Sequence, residues 1–386
     1  GREVTGRIIQ AEKIGHEKLQ QVLIDDLNML IEDLSRSNGV EMKDITAVVC
    51  AGNTPMGHFL LGLPTDNIRR EPYAAASVEP PPLRAAEVGI EIHPRGLLYS
   101  LPGISGWVGS DITAGILATG IHENEEISML VDIGTNGEIV IGNRDWLIAC
   151  SASAGPALEG ASVECGMRAE AGAVERVYSD DSGSIQMASI GNENPKGICG
   201  SGIIDAVGVL LKQNIINRSG KIQASDPDRV KTSEGIQRYL FAVPEESERK
   251  DGVFLTEADI ENIITAKAAI YAAMRILLRR ISLAFTDIEC LYIGGAFGSY
   301  IDIENAVTIG LIPDIPRERI EFAGNTSIVG ATMAAFYEEA FDQIREIRRN
   351  TTYYDLMGAN DYVEEFQRAL FLPHTDIEQF PTVQVT

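Results

Sequence analysis

The sequence is short of the features that would place it outside the ordinary globular proteins. No apolar run approaches the ~18 residues that a membrane span requires, and the opening Gly1-Arg2-Glu3-Val4 has no basic start followed by an apolar stretch. A secretory signal is therefore not expected. The chain also lacks an initiator Met and reads as a piece of something longer. Basic charge is scarce: 32 Lys and Arg stand against 56 Asp and Glu, a net charge of −24. That excludes the basic surfaces used on nucleic acids and anionic membranes. An acidic chain that takes up phosphate must do so with backbone N–H groups, a few placed cations and Mg²⁺. Cysteine is sparse and scattered, at positions 50, 150, 165, 199 and 290, with no C-x-x-C pair. Zinc and iron–sulfur sites cluster their ligands, so neither is expected; buried thiols in a reducing cytoplasm are.

What is present is a long, mixed pattern of helices and strands. Hydrophobic residues make up 45% and charged residues 23% of 386 positions, enough for two to three domains with large cores. Leu19, Val22, Leu23, Leu27, Leu30, Ile31 and Leu34 recur at helical spacing over 17–38, and Asn38-Gly39 stops the run. Residues 45–50 read as a buried strand, 64–106 as a Pro- and Gly-rich irregular connection, and 110–118 as a helix faced with small residues. Strands at 129–133 and 138–141 flank Gly134-Thr135-Asn136-Gly137, an Asn-Gly hairpin signal, and 145–149 reads as a further strand. A helix is expected over 203–211, an exposed polar excursion over 218–252, and a long helix from a capping box at Thr256-Glu257-Ala258-Asp259 to Arg280. Strands near 290–293 and 320–322, a second small-residue helix over 327–336, and a helix with an extended tail over 337–386 complete the pattern. Alternating elements with hairpins predict mixed sheets flanked by helices. The strand–glycine turn–helix order at 48–61 is echoed at 291–306, which suggests two related halves. The two small-residue helices fit either tight core packing or a hinge between domains.

The sharpest chemical signal is Asp132-Ile133-Gly134-Thr135-Asn136-Gly137-Glu138. A carboxylate ending a buried strand, followed by a glycine hairpin, gathers several N–H groups around one point. This suits an oxyanion with Mg²⁺ beside it; an ordinary type I′ hairpin fits the same residues. Ile293-Gly294-Gly295-Ala296-Phe297-Gly298-Ser299 is a strand entering glycines that allow close backbone approach. Gly197 to Gly202 is a similar run.

The order of these pieces resembles the actin/Hsp70/sugar-kinase ATPase superfamily. Ser110-Asp111-Ile112-Thr113-Ala114-Gly115 looks like its first connecting helix, Asp132–Glu138 like its second phosphate loop, 293–299 like its adenosine loop and 325–335 like its second connecting helix. Within it the chain is similar to the ATP-dependent reductive activators of corrinoid-dependent enzymes. The similar stretches are Val131 to Val140, Ala149-Cys150-Ser151, Ala154 to Ala161, Gly166-Met167-Arg168-Ala169, Gly197 to Ala206, Gly295 to Tyr300 and Phe371-Leu372-Pro373-His374.

The resemblance implies a two-lobed actin-like α/β fold with RNase H-like mixed sheets. It places an incomplete first lobe at 1–120, lacking its first phosphate hairpin, a second lobe at 121–335, and a C-terminal helix and tail at 336–386. It implies ATP and Mg²⁺ as cofactors. Asp111 and Asp132 would act near Mg²⁺ and the attacking water, holding the metal through water. Gly134, Thr135, Asn136 and Gly137 would hold phosphate. Glu159, Gly160 and Gly200 would line the pocket, and Lys267, Gly294, Gly295 and Gly298 would border the nucleoside. The implied reaction returns Co(II) to Co(I) in a corrinoid protein of a methyltransferase or O-demethylase system. A homodimer is a further implied assembly, and no nucleic acid or membrane partner is expected. The electron would come from a plant-type [2Fe–2S] domain; no C-x₄-C-x₂-C spacing occurs here, so that domain is expected outside this chain. A small-molecule kinase or phosphatase of the same superfamily, and a non-catalytic corrinoid-protein docking module, remain alternatives.

Overall fold

A computed structural model describes residues 4–223, 226–233, 235–295, 301–356 and 358–384. In chain order α1 (Val4–Ile14) and α2 (His16–Asn38) are followed by β1 (Ala47–Cys50), α3 (Thr54–Leu61), β2 (Leu83–Arg84), β3 (Leu97–Ser100) and α4 (Ser110–Thr119). Then come β4 (Ser128–Ile133), β5 (Gly137–Gly142), β6 (Leu147–Ala152), β7 (Ala173–Ser179), β8 (Ile185–Ser189), β9 (Gly197–Ile198) and α5 (Gly200–Lys212). Next are β10 (Val230–Ser233), β11 (Ile236–Ala242), β12 (Val253–Thr256), α6 (Glu257–Arg280), β13 (Cys290–Gly294) and α7 (Ile303–Ile309). The chain ends with β14 (Ile320–Gly324), α8 (Thr326–Phe336), α9 (Glu338–Asn350), β15 (Thr351–Tyr353) and α10 (Asn360–Ala369). No helix among the described residues is long and apolar enough to cross a membrane.

The chain divides into two compact units, and the division falls inside β4, β5 and β6. The first unit comprises 1–130, 140–150 and 325–354; the second comprises 131–139, 151–324 and 355–386.

In the first unit β3 pairs in parallel with β1 and antiparallel with β2. The inner stripe of α2, with Ile24 buried and Leu23, Leu27 and Ile31 beside it, covers Leu60, Ala85, Ile90 and Leu98. Asn38-Gly39 ends α2 as expected: Gly39 takes the left-handed conformation at φ 63° that only glycine adopts cheaply. Helix α1 was not expected from the sequence; it is short, holds Gly6, buries Ile8 and Ala11, and is tied down by Glu12, which accepts from Arg69 and Arg70. Strand order continues β4-β5-β6-β15, with β15 parallel to β6 from the Thr351–Leu147 pair onward. The small-residue helices α4 and α8 cross at near backbone contact. A Cβ on Gly330 would stand 2.1 Å from the Ala114 carbonyl oxygen, and one on Gly115 would stand 3.0 Å from Thr326 Oγ1. Gly330→Leu is expected to destabilise the protein by at least ~1–3 kcal/mol, the usual range for overpacking. A urea midpoint unchanged from the parent would show that the crossing tolerates side chains.

In the second unit the strand order is β14-β13-β4-β5, with β13 and β14 parallel and a register shift between Ile293 and Gly294. Strands β7 and β8 are antiparallel, and β9 lies parallel to β7. The polar stretch 218–252, expected as an exposed excursion, instead carries most of an antiparallel sheet. Strand β11 lies between β10 and β12. The charged residues around Val230 and Arg238 hide a buried end: Tyr239, Leu240, Phe241 and Ala242 are all in the core. Helix α6 starts at the expected capping box, with the Thr256 hydroxyl and Asp259 carboxylate exchanging bonds with each other's backbone N–H. Helix α5 begins three residues earlier than expected and is buried from Gly200 to Leu211.

Candidate nucleotide site

Strand β4 ends in the sequence Val131-Asp132-Ile133 and turns back through Gly134, Thr135 and Asn136 into β5. None of the residues 134–137 has a positive φ. The turn is therefore not of type I′, which requires φ > 0 at both central positions. Its glycines serve close approach instead. A Cβ on Gly137 would meet Ile270 Cγ1 of α6 at 2.6 Å, so the hairpin base rests on that helix. Over Gly134 the space is open: its Cβ would meet nothing nearer than Asn136 O and Glu159 Oε1, both at 3.8 Å.

The turn closes on itself through Gly134 N–H, which donates to Asn136 O at 3.0 Å. That leaves Gly134 without a main-chain donor to offer. The N–H groups of Thr135 and Asn136 make no hydrogen bond among the described residues. Two adjacent amides at a hairpin tip, beside a strand-ending carboxylate, are the donor set that an anionic oxygen requires.

The carboxylates around this tip are Asp132 and Glu159. Glu159 ends a short 3-10 turn over Pro156–Glu159, closed by Gly160 in the left-handed conformation at φ 78°. Its Oε2 accepts a hydrogen bond from Thr135 Oγ1 at 2.7 Å. Asp132 is half-buried, and its carboxyl is pushed up to about 6, first by loss of water and second by the negative charge of Glu159. A hard divalent cation relieves such a pair, because it binds carboxylate oxygen directly or through its own water. The residues thus fit a Mg²⁺–phosphate ligand. On the next strand Ser151 Oγ donates to Glu138 Oε1 at 3.0 Å, tying β6 to β5 just past the turn.

Gly295 brings a second loop to the same place. It sits at φ 111°, donates its N–H to Gly324 O at 3.0 Å, and a Cβ there would lie 2.3 Å from Ile133 O. The end of β13, with Gly294, therefore abuts the peptide that follows Asp132. Gly298 lies outside the described residues.

Gly160 packs on Gly166 and Met167, where a Cβ would meet Met167 N at 3.1 Å. Gly200 is the first residue of α5. Asp111 lies in the first turn of α4 in the first unit, where its carboxylate accepts from Ile112 N at 3.0 Å. Lys267, expected beside the nucleoside, is fully buried in α6. Its Nζ donates to Phe371 O at 2.7 Å and Pro373 O at 2.6 Å. Arg218 Nε donates to Leu372 O at 3.1 Å, and its Nη2 donates to His374 O. Four successive carbonyls of the segment after α10 are thus each held by a lysine or arginine side chain. Burial, with the Arg218 charge second, pushes the Lys267 amine well below the usual lysine range. The side-chain contacts Thr135–Glu159 and Lys267–Phe371 join residues 24 and 104 positions apart, which no local pattern signals.

None of the five cysteines forms a disulfide, and the described residues contain no group of three or more His, Cys, Asp and Glu that could hold a metal ion.

Fold and hairpin together define a domain of the ASKHA class, the actin and sugar-kinase type expected from the sequence. Residues 126–384 match the family model described as the C-terminal domain of RACo, the ASKHA domain, and residues 1–124 match the RACo middle region. The chain belongs to the RACo family. It is 33% identical over 378 residues to the corrinoid activation enzyme RamQ of Eubacterium limosum, covering 95% of this chain and 63% of the relative. It is 28% identical over 279 residues to the [Co(II) methylated amine-specific corrinoid protein] reductase of Methanosarcina barkeri, covering 67% of this chain and 48% of that one. The solved structure of a reductive activator for corrinoid, iron–sulfur protein superposes with a TM-score of 0.93 at 42% identity, over 99% of this chain and 62% of that one. The chain thus spans less than two thirds of the length of each of these relatives.

Proposed function

We propose that this chain is the nucleotide-binding and partner-binding part of a reductive activator, one that uses ATP to return a protein-bound corrinoid from Co(II) to Co(I). The observation that carries the nucleotide half is the hairpin tip, where the unpaired Thr135 and Asn136 amides stand beside the Asp132 carboxylate. These amides receive phosphate oxygens, Asp132 anchors Mg²⁺ directly or through water, and Gly295 keeps the neighbouring loop close enough to border the ligand. Bound Mg²⁺ supplies charge neutralisation of the phosphates. The corrinoid half is supported by the names of the relatives. The single electron that Co(II) requires comes from an iron–sulfur module outside this chain, and the corrinoid protein belongs to a methyltransferase or O-demethylase system.

ATP helps an uphill cobalt reduction only if nucleotide state changes how the corrinoid protein is held. Such coupling is reciprocal: ATP and the partner change each other's affinity by the same factor. The test titrates a cognate Co(II) corrinoid protein against the full-length activator, with and without Mg-ATP, following binding and the cobalt absorption spectrum together. The expected result is a complex whose affinity and spectrum both depend on nucleotide. Absence of a complex under every condition would sink the activator reading. A complex indifferent to nucleotide would leave a docking module.

A further inference from the structure

We infer that Glu159 is a positioning residue that fixes the tip of the phosphate hairpin and makes nucleotide binding depend on a divalent cation; the inference rests on the nucleotide reading above. Both oxygens of this one carboxylate face the tip. Oε2 holds the Thr135 hydroxyl at 2.7 Å, and Oε1 lies 3.8 Å from where a Cβ on Gly134 would stand. The first contact is geometric. Thr135 is β-branched, so its side chain has few rotamers. Fixing its hydroxyl fixes the peptide planes on either side, including the two amides that have no other partner.

The second contact is electrostatic. An exposed carboxylate over Gly134, with Asp132 one strand position before the turn, gives the tip negative charge where a phosphate would settle. Like charges a few ångström apart near a protein surface repel strongly enough to change an affinity by about tenfold or more. Free ATP meets that repulsion without compensation. Mg-ATP carries less negative charge and brings a cation that both carboxylates attract. Glu159 therefore acts as a filter against metal-free nucleotide while it holds the loop for the chelate.

Two substitutions separate the two roles. Glu159→Gln keeps the length and an acceptor oxygen for Thr135 but removes the charge. Thr135→Val keeps the shape but removes the hydroxyl that Glu159 holds. Calorimetry on the full-length protein measures Kd for ATP in EDTA and for ATP with excess Mg²⁺. Glu159→Gln is expected to narrow the ratio of the two constants by about tenfold, chiefly by tightening free ATP. Thr135→Val is expected to weaken both forms alike and leave the ratio in place. A Glu159→Gln ratio equal to that of the parent overturns the filter while the nucleotide reading stands. Failure of the parent to bind Mg-ATP overturns the nucleotide reading and the filter with it. Melting temperatures of both variants confirm folding, which a residue as exposed as Glu159 does not govern.

Discussion

Asp132→Asn should make the nucleotide-free protein more stable near pH 7 while weakening Mg-dependent ATP binding by about tenfold or more. The carboxyl of Asp132 is raised from an ordinary 3.8 to about 6 by burial and by Glu159, so the folded state prefers it protonated. Below pH ~4 both folded and unfolded chains carry the proton, and no cost arises. As pH rises from there to about 6, the unfolded chain ionises first and stability falls; above that the cost is constant. A displacement of this size corresponds to roughly 3 kcal/mol at neutral pH. Asparagine is uncharged and of similar shape, so it should recover much of that amount. Thermal melts from pH 4 to 8 would show the variant gaining on the parent as pH rises, with the difference vanishing at the acid end. A variant no more stable than the parent at pH 8 would mean that water or neighbouring dipoles already satisfy Asp132 in the apo protein. That carboxylate would then carry no folding cost.

The second large effect is expected at Lys267. Lys267→Ala removes a buried amine and leaves the carbonyls of Phe371 and Pro373 without their donor, besides opening a cavity. A cavity of this kind typically costs about 2–5 kcal/mol, and each unsatisfied carbonyl about 1–3 kcal/mol more. Lys267→Met fills the space without restoring the donors and should fall between alanine and the parent. The parent itself should gain stability as pH rises toward 10.5. In that window the unfolded lysine still holds a proton that the folded one has already released. Limited proteolysis offers a local readout: cleavage after α10 should accelerate in Lys267→Ala before global unfolding does. Equal cleavage rates would show that the Arg218 contacts suffice to hold the segment.

Legibility in the sequence followed the range of the interaction. The β4–β5 hairpin, the Gly39 stop of α2 and the Thr256–Asp259 capping box were readable because each is settled by residues within four positions of one another. The hairpin after Asp132 was legible as a turn, but the sequence could not divide its backbone N–H groups between the turn itself and solvent. Gly134 spends its N–H inside the turn and Gly137 packs on Ile270, while the Thr135 and Asn136 N–H groups make no hydrogen bond among the described residues. Strands β7 and β11 were not legible because each is buried at one end only and carries charge or polar residues at the other, and β8 has no buried residue at all. Lys267 was drawn toward the nucleoside by analogy; its partners are backbone carbonyls more than a hundred positions later, and carbonyls have no sequence signature.

The division of the chain inside β4, β5 and β6 has a practical consequence for genetic dissection. The first unit is assembled from 1–130, 140–150 and 325–354, so no single cut yields either unit as one continuous polypeptide. A nonsense mutation anywhere between 151 and 324 deletes α8, α9 and β15 from the first unit as well as part of the second. Truncation series on this protein should therefore give misfolded products rather than a smaller working module. Assigning tasks to regions will depend on point substitutions such as those above.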